Sequence, residues 1–287
     1  SGSAVVPDLF LLAEKLMNGP IFSLAKKRGN IMAAFGTAFE CFLIQVLDSI
    51  KIWHNRRNEQ LDLFAQPKAF DDRRREVEIC DAAIHIKETR ELFLLEAKAK
   101  WLRDDILWER DPEMYIRQLR EKYGITEKET LGVGQLARSI RKLDSQKWQS
   151  RQIDLSAVET IYPILMVHDD FMSEGDHAWF MSREFQIALG GSPERIEWLQ
   201  VGHIRIAPLI LLTPTDLDAL EGACSKYRID RLVNRYLAGV IAGNHTSFAS
   251  FVHMGYSDEP KIVRDYPPMF EQIFSHILTR SDTPSKP

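Results

Sequence analysis

Two carboxylates and a lysine, placed in two neighbouring apolar runs, could bind a divalent metal ion. Asp81 lies within the run 77–86, and Glu96 and Lys98 lie near the end of the run 92–99. Because side chains alternate along a strand, Glu96 and Lys98 project from the same face. If the two runs pair, Asp81 lies across from Glu96, and two close carboxylates repel each other unless a cation lies between them. The spacing therefore predicts a metal site with an ammonium group beside it.

The runs that carry these charges have the composition of β-strands. Residues 77–86 include several β-branched side chains and contain neither Gly nor Pro, and residues 92–99 begin with an unbroken apolar stretch. The polar segment 87–91 between them suits a turn. The pattern predicts a β-hairpin with Asp81 near the middle of its first strand.

A Glu-x-Lys triplet is common in a chain with 27% charged residues, so its context decides its meaning. A second copy, Glu259 to Lys261, has Pro260 at its centre and suits a turn. The copy at Glu96 and Lys98 instead ends an apolar run that would otherwise continue into a core. Two interpretations stay open, a solvated sheet end or a site, and the clustering of charges favours the site.

These residues resemble the motif of the PD-(D/E)xK nuclease superfamily, whose restriction-endonuclease-like core is a helix, a three-stranded meander, a second helix and a fourth strand. The resemblance covers residues 31–171. The metal-binding Asp of the family corresponds to Asp81, and its Glu-x-Lys corresponds to Glu96 and Lys98. The chain departs from the pattern at Cys80, where the family has a Pro before the metal-binding Asp.

Two helical residues extend the resemblance. Many members of the family carry a Glu on the first helix, which matches Glu40 at the margin of the apolar stripe of residues 31–52, and a Gln on the second helix, which matches Gln135. Gln135 shares a helix face with Arg138, and both are expected to position the scissile strand. The alternatives are an exposed helix-edge Glu and an ordinary surface Gln.

The chemistry implied by the resemblance is metal-dependent hydrolysis of phosphodiester bonds. Asp81, Glu96, the backbone carbonyl of Ala97 and Glu40 would supply hard oxygen ligands, which favour Mg²⁺ or Mn²⁺. Lys98 would either stabilise the charge of the transition state or orient and help deprotonate the attacking water. DNA is favoured over RNA as the substrate, and family members of this type often act in restriction, repair or anti-phage defence.

The overall charge argues against a protein that coats nucleic acid. The net charge is -4 and the isoelectric point is about 6.1, whereas phosphate neutralisation needs a basic surface. Basic residues do cluster locally, and each cluster is either a phosphate-binding surface or a solvated polar face. The predicted nucleic-acid contacts are Arg73, Arg74, Arg75, Arg138, Arg141 and Lys142.

No membrane association is expected from the longest apolar runs, 161–167 and 206–212, which are seven residues long and contain a Pro. The cysteines Cys41, Cys80 and Cys224 are dispersed among apolar neighbours and resemble reduced core residues. The sequence therefore predicts a cytoplasmic protein.

The predicted fold class is α/β, with a restriction-endonuclease-like core in which helices flank a mixed central sheet. Residues 1–30 form an N-terminal helical segment, residues 31–171 the nuclease core, and residues 172–287 a sheet extension and a helical C-terminal part of the same compact domain. The remaining predicted strands are 61–64, 162–168 and 208–212, and the remaining helices are 8–17, 112–123, 131–148, 178–189, 215–224, 230–242 and 268–278.

Two other functions stay open at the level of sequence. The chain could be a non-catalytic scaffold whose C-terminal helices bind a partner protein, or a nuclease that acts on RNA. A homodimer is also compatible with the sequence. Convergence of Asp81, Glu96 and Lys98 in the folded protein would favour the enzyme over the scaffold.

Overall fold

The computed structural model describes residues 31–71, 73–100, 111–124, 131–144, 149–173, 175–244 and 246–256. Residues 39–263 form one compact unit, and residues 31–38 are the described part of a second unit. Several predicted segments lie outside the described residues, namely 1–30 with its helix, 145–148 and the helix 268–278.

The first described helix, α1, spans Ile31–Arg56 and confirms the helix predicted over residues 31–52. Its buried side chains recur every three or four residues, as on a helix that packs one face against a core. They are Phe39, Phe42, Leu43, Val46, Leu47, Ile50 and His54. By length and composition alone, Met32–Arg56 could also cross a membrane, with a mean hydropathy of 1.4 in its most apolar window.

The strands form a mixed seven-stranded sheet and a separate two-stranded ribbon. In chain order they are β1 (Asp62–Ala65), β2 (Lys68–Phe70), β3 (Glu76–Glu78), β4 (Ala82–Ile86), β5 (Glu91–Lys98), β6 (Thr160–Val167), β7 (Leu199–Val201), β8 (Ile204–Ile206) and β9 (Ile210–Leu212). The order in the sheet is β1-β4-β5-β6-β8-β7, and β9 also pairs with β6. The chain is thus an α/β protein with a mixed central sheet.

The predicted hairpin is present as β4 and β5, which pair antiparallel with Ala82 opposite Leu95. Strand β1 adds to the other side of β4 and completes a three-stranded antiparallel meander. Strand β6 then pairs parallel to β5, with Val167 opposite Lys98. Parallel pairing needs a long crossover, and the described chain between β5 and β6 includes helices.

The prediction that residues 77–86 form one strand with Asp81 near its middle is wrong. Glu76–Glu78 belongs to β3, which pairs with β2 in the ribbon, and the chain bends at Asp81 before β4 begins. Two backbone hydrogen bonds hold this bend: Ile79 N donates to Pro67 O and Gln66 N donates to Asp81 O, each at 2.8 Å. The segment just before β4 therefore has its own pairing partner, β2, which an apolar run alone does not reveal.

The helices after β5 are α2 (Pro112–Tyr123), α3 (Val133–Asp144) and α4 (Gly175–Leu189), as predicted apart from their ends. Helix α2 starts at a Pro, and Asp111 caps it by accepting hydrogen bonds from two backbone N–H groups. The three helices share one core cluster with the sheet residues Ala83, Leu92, Leu94 and Leu165. They therefore cover the face of the sheet from which Leu92 and Leu94 project.

The C-terminal part is mostly helical, with α5 (Pro214–Cys224), α6 (Ile229–Ile241) and α7 (Phe248–Gly255). Helix α5 starts with a capping box between Thr213 and Asp216, and Asp216 also accepts a hydrogen bond from Ala249 N at 2.8 Å. Strand β9 extends the sheet, as predicted for residues 208–212. The short elements β2, β3, β7, β8 and α7 were not predicted, because segments this short carry little periodicity.

Candidate functional site

Strand β5 carries the buried core of the candidate site. Glu96 and Lys98 continue the alternation of Leu92 and Leu94, so all four project from the same face. The Lys98 ammonium Nζ lies 2.6 Å from Glu96 Oε1. Glu96 is only 3% exposed, and the Lys98 side chain is 15% exposed. A charged pair this deeply buried is not a solvated end of a sheet.

The carboxylate of Asp81 joins this pair from the bend before β4. Its Oδ2 accepts a hydrogen bond from Ala97 N at 2.6 Å. Ala82 is opposite Leu95 in the antiparallel pair of β4 and β5. The preceding residue, Asp81, therefore lies beside Glu96. The side chain of Asp81 thus binds the backbone of β5 between Glu96 and Lys98.

Two more carboxylates approach the cluster from other elements. Glu40 on α1 is half-buried, and its carboxylate lies 3.5 Å from Gln66 Nε2. Glu78 ends β3 and keeps much of its surface exposed, with protein atoms covering part of it. The pKa of Glu40 is raised by partial burial, then by the charges of Asp81 and Glu78. We refer to Asp81, Glu96, Glu40, Glu78 and Lys98 as the carboxylate cluster.

Glu78 is a member of the cluster that the sequence analysis did not select. In a continuous strand 77–86 it would have been an ordinary charged residue near one end. The ribbon and the bend at Asp81 instead bring it near the other carboxylates, and its pKa is raised by partial burial and then by Asp81. The signal in the sequence is its place three residues before Asp81, which has meaning only once the bend is known.

Burial and mutual repulsion dominate the electrostatics of the cluster. Burial, followed by the charge of Asp81, raises the pKa of Glu96 to about 7 against the opposing effect of Lys98. Burial also raises the pKa of Asp81, while the Ala97 N–H and Lys98 oppose this. Lys98 acts against the raised pKa of all four carboxylates. Four carboxylates around one ammonium favour either protonation or a bound cation.

The donors of the cluster suit a hard divalent ion, because they are oxygens without His or Cys. In the described part of the chain, however, no three His, Cys, Asp or Glu side chains form a group that could hold a metal ion. The carboxylates are close enough to shift each other's pKa, while Asp81 is bound to Ala97 N and Glu96 to Lys98. The residues therefore supply the oxygen donors that Mg²⁺ or Mn²⁺ prefers. In this structure Asp81 already binds Ala97 N, and Glu96 already binds Lys98.

Helix α3 carries four of the predicted site residues. Gln135 lies near the start of α3, where its Oε1 accepts a hydrogen bond from Gly132 N at 2.9 Å and caps the helix. Arg138 and Arg141 are exposed on α3, and Lys142 is half-buried. Their role in contacting nucleic acid stays a prediction.

The predicted basic run lies in the turn of the ribbon. Arg73, Arg74 and Arg75 are exposed, and Arg74 has a positive φ of 58° at the turn. The Arg75 guanidinium pairs with Asp71 Oδ2 at 2.7 Å. Because β3 runs from this turn to Glu78, the ribbon links the arginines to the carboxylate cluster.

Cys80 has a structural role at the position where the resemblance expects a Pro. Its buried thiol donates to Ala82 O, with Sγ and O 3.0 Å apart, across the bend at Asp81. Burial raises the pKa of this thiol, so it remains protonated. Cys224 is also buried, but Cys41 is exposed on α1, so the prediction of a core position is wrong for Cys41.

Comparison of the chain with protein-family models, with curated proteins and with solved structures gives no match.

Proposed function

We propose that the chain is a metal-dependent nuclease that hydrolyses phosphodiester bonds of DNA on a restriction-endonuclease-like fold. The observation that carries the proposal is the convergence of Asp81, Glu96 and Lys98 where β4 begins and β5 ends. The order of elements agrees with it, since a helix, an antiparallel meander, further helices and a strand parallel to β5 follow one another. The burial of Glu96 disfavours a scaffold whose charges only solvate the sheet.

The residues of the cluster would have different roles in phosphodiester hydrolysis. Asp81, Glu96 and the carbonyl of Ala97 would hold a Mg²⁺ or Mn²⁺ ion, which when bound neutralises charge on the phosphoryl group. Glu40 and Glu78 lie at the rim and would hold water near the ion. Lys98, whose ammonium lies 2.6 Å from Glu96 Oε1, would face the reacting phosphate and stabilise its developing negative charge.

The role of Lys98 is tested by Lys98→Ala. We expect this variant to lose about a hundredfold or more in turnover, the usual effect of removing a positioned acid, base or electrostatic group. Cleavage of supercoiled, linear and single-stranded DNA, and of RNA, is measured with Mg²⁺ and with Mn²⁺. DNA binding in EDTA should be retained, because Lys98 is expected to stabilise the transition state and to contribute little to the affinity for DNA.

Lys100→Ala is the matched control, since Lys100 is an exposed lysine two residues further on. Its carbonyl accepts a hydrogen bond from Tyr123, and that contact is unchanged in the variant. Equal cleavage rates for wild type and Lys98→Ala would refute the catalytic role. If only RNA were cleaved, the substrate would be RNA and not DNA. If no substrate were cleaved, the result would favour a non-catalytic scaffold.

A further inference from the structure

A second feature of the molecule, away from the carboxylate cluster, is a cleft between α2 and α4. Its volume is about 510 Å³, within the usual range of small-molecule sites. The walls combine aromatic rings with polar groups: Tyr115, Leu119, Asp176, His177, Trp179 and Phe180. Leu119 belongs to the buried core and forms an apolar floor.

The aromatic groups of the cleft are held in place by their neighbours. The Tyr115 hydroxyl is hydrogen-bonded to His177 Nε2, and the Phe171 ring lies 5.0 Å from the His177 ring. The Arg120 guanidinium lies over the ring of Phe180 at 5.8 Å. Rings fixed in this way can contact a ligand with little loss of conformational entropy on binding.

The cleft is connected to the chain that leaves the carboxylate cluster. The Tyr123 hydroxyl on α2 donates to Lys100 O at 2.7 Å, two residues beyond Lys98. Just beyond the neighbouring strand β6, His168 N donates to Lys98 O at 3.4 Å. Burial, followed by the charge of the next residue, Asp169, raises the pKa of Tyr115. Helix α2, which lines the cleft, is therefore fixed through Tyr123 to the chain that follows Lys98.

The lining indicates the kind of group that would enter. Aromatic walls suit a planar ring such as a nucleobase, and any base can stack on an aromatic side chain. The carboxylate of Asp176, with Asp169 nearby, disfavours a phosphate and can accept a hydrogen bond from an exocyclic amino group. Adenine and cytosine carry such an amino group, and thymine does not.

We propose that this cleft binds one unstacked nucleobase of the substrate, so that the enzyme acts on single-stranded DNA with a preference for strands that carry an amino-bearing base. The proposal rests on the proposed nuclease function and specifies its substrate. A base inside a duplex is stacked on both sides and cannot enter such a cleft without first being unstacked.

The test measures binding in EDTA, so that no cleavage is needed. Short fluorescent single strands of oligo(dA), oligo(dC) and oligo(dT), and an abasic strand of the same length, are titrated with the wild-type chain. We expect oligo(dA) and oligo(dC) to bind more tightly than oligo(dT), and the abasic strand to bind least. Phe180→Ala should weaken oligo(dA) binding about tenfold or more and leave the abasic strand unchanged, because stacking on the ring is lost.

Three further variants sharpen the test. Phe180→Leu keeps apolar volume in case the Ala variant folds poorly, and should show the same loss. Asp176→Asn should reduce the difference in binding affinity between oligo(dA) and oligo(dT). Tyr227→Ala removes an aromatic residue that is 40% exposed and outside the cleft, and should bind like wild type.

Two results would overturn the inference: equal affinity of wild type for abasic and oligo(dA) strands, or wild-type affinity in Phe180→Leu. Failure of the nuclease proposal gives a different pattern. In that case neither wild type nor Lys98→Ala cuts DNA, while base-dependent binding in EDTA persists in both proteins.

Discussion

Glu96 is the residue at which the proposed function would oppose folding stability most. It is buried beside Asp81, so its charged form lacks water and faces a like charge. Lys98 compensates only in part, because the same ammonium also interacts with Asp81, Glu40 and Glu78. Groups of this kind commonly lower stability where activity requires them.

Neutralising Glu96 should therefore stabilise the protein at alkaline pH. The pKa of Glu96 is raised from 4.5 to about 7 in the folded state, so folding favours its protonated form. That contribution is complete below the unfolded pKa and is lost as the pH rises through about 7. We expect Glu96→Gln to unfold with a free energy about 1–3 kcal/mol greater than wild type at about pH 8, and with no gain at about pH 4.5.

Denaturant unfolding at the two pH values measures this difference. Glu121→Gln removes the same charge from an exposed position on α2 and should change stability little at either pH. If Glu96→Gln were less stable than wild type at alkaline pH, the ion pair with Lys98 would be a stabilising structural contact, and the site interpretation would lose its electrostatic support.

At the scale of elements, the ribbon of β2 and β3 connects an exposed basic turn to the carboxylate cluster. Lys68–Phe70 pairs with Glu76–Glu78, and Phe70 also forms a bridge with Gln149. The Arg151 guanidinium lies 5.0 Å from the centre of the Phe70 ring. The ribbon is thus attached along one strand, and its turn is open to solvent at Arg73 and Arg74.

We expect the turn of the ribbon to contact phosphates of the substrate. In the double variant Arg73→Ala/Arg74→Ala, DNA binding in EDTA should weaken. The negative slope of log affinity against log salt concentration should also become shallower by about two, one for each phosphate contact removed. Fluorescence anisotropy at several salt concentrations measures both quantities.

The control for the ribbon variant is Arg195→Ala/Arg231→Ala, which removes two exposed arginines from the C-terminal part of the chain. An equal change of slope in both double variants would mean that the overall charge of the protein matters and the ribbon does not. A change confined to the ribbon variant would place the substrate along it.

The whole molecule carries a net charge of -4, and its carboxylate cluster concentrates part of that charge near one end of β5. A ligand that binds only the folded state raises its stability in proportion to the logarithm of the ligand concentration over Kd. A divalent cation that occupies the cluster should therefore stabilise the entire fold.

We expect Mn²⁺ and Mg²⁺ to raise the melting temperature of the wild-type chain in a concentration-dependent manner, and to have a much smaller effect on Asp81→Asn. Calorimetric titration gives the affinities, and NaCl at matched ionic strength controls for general screening. Equal cation affinity in wild type and Asp81→Asn would remove Asp81 from the metal site.

The sequence by itself determined those features that repeat along the chain with a regular period. The helical spacing of α1 and the apolar runs of β5 and β6 predicted these elements, and the turn 87–91 predicted the hairpin. The two-residue period of a strand was also sufficient to place Glu96 and Lys98 on one face, because that relation is local. These elements support the α/β class with a mixed central sheet.

Only the tertiary structure decided the features that depend on contacts between distant segments. The bend that turns Asp81 toward Ala97 N, the approach of Glu78 and Glu40, and the burial of Glu96 come from the packing of separate elements. The cleft between α2 and α4 likewise joins Tyr115 to His177, which lie 62 residues apart. Propensity and periodicity report on neighbours in the chain, whereas the pKa of a carboxylate or the shape of a cleft depends on groups that meet only in the folded state.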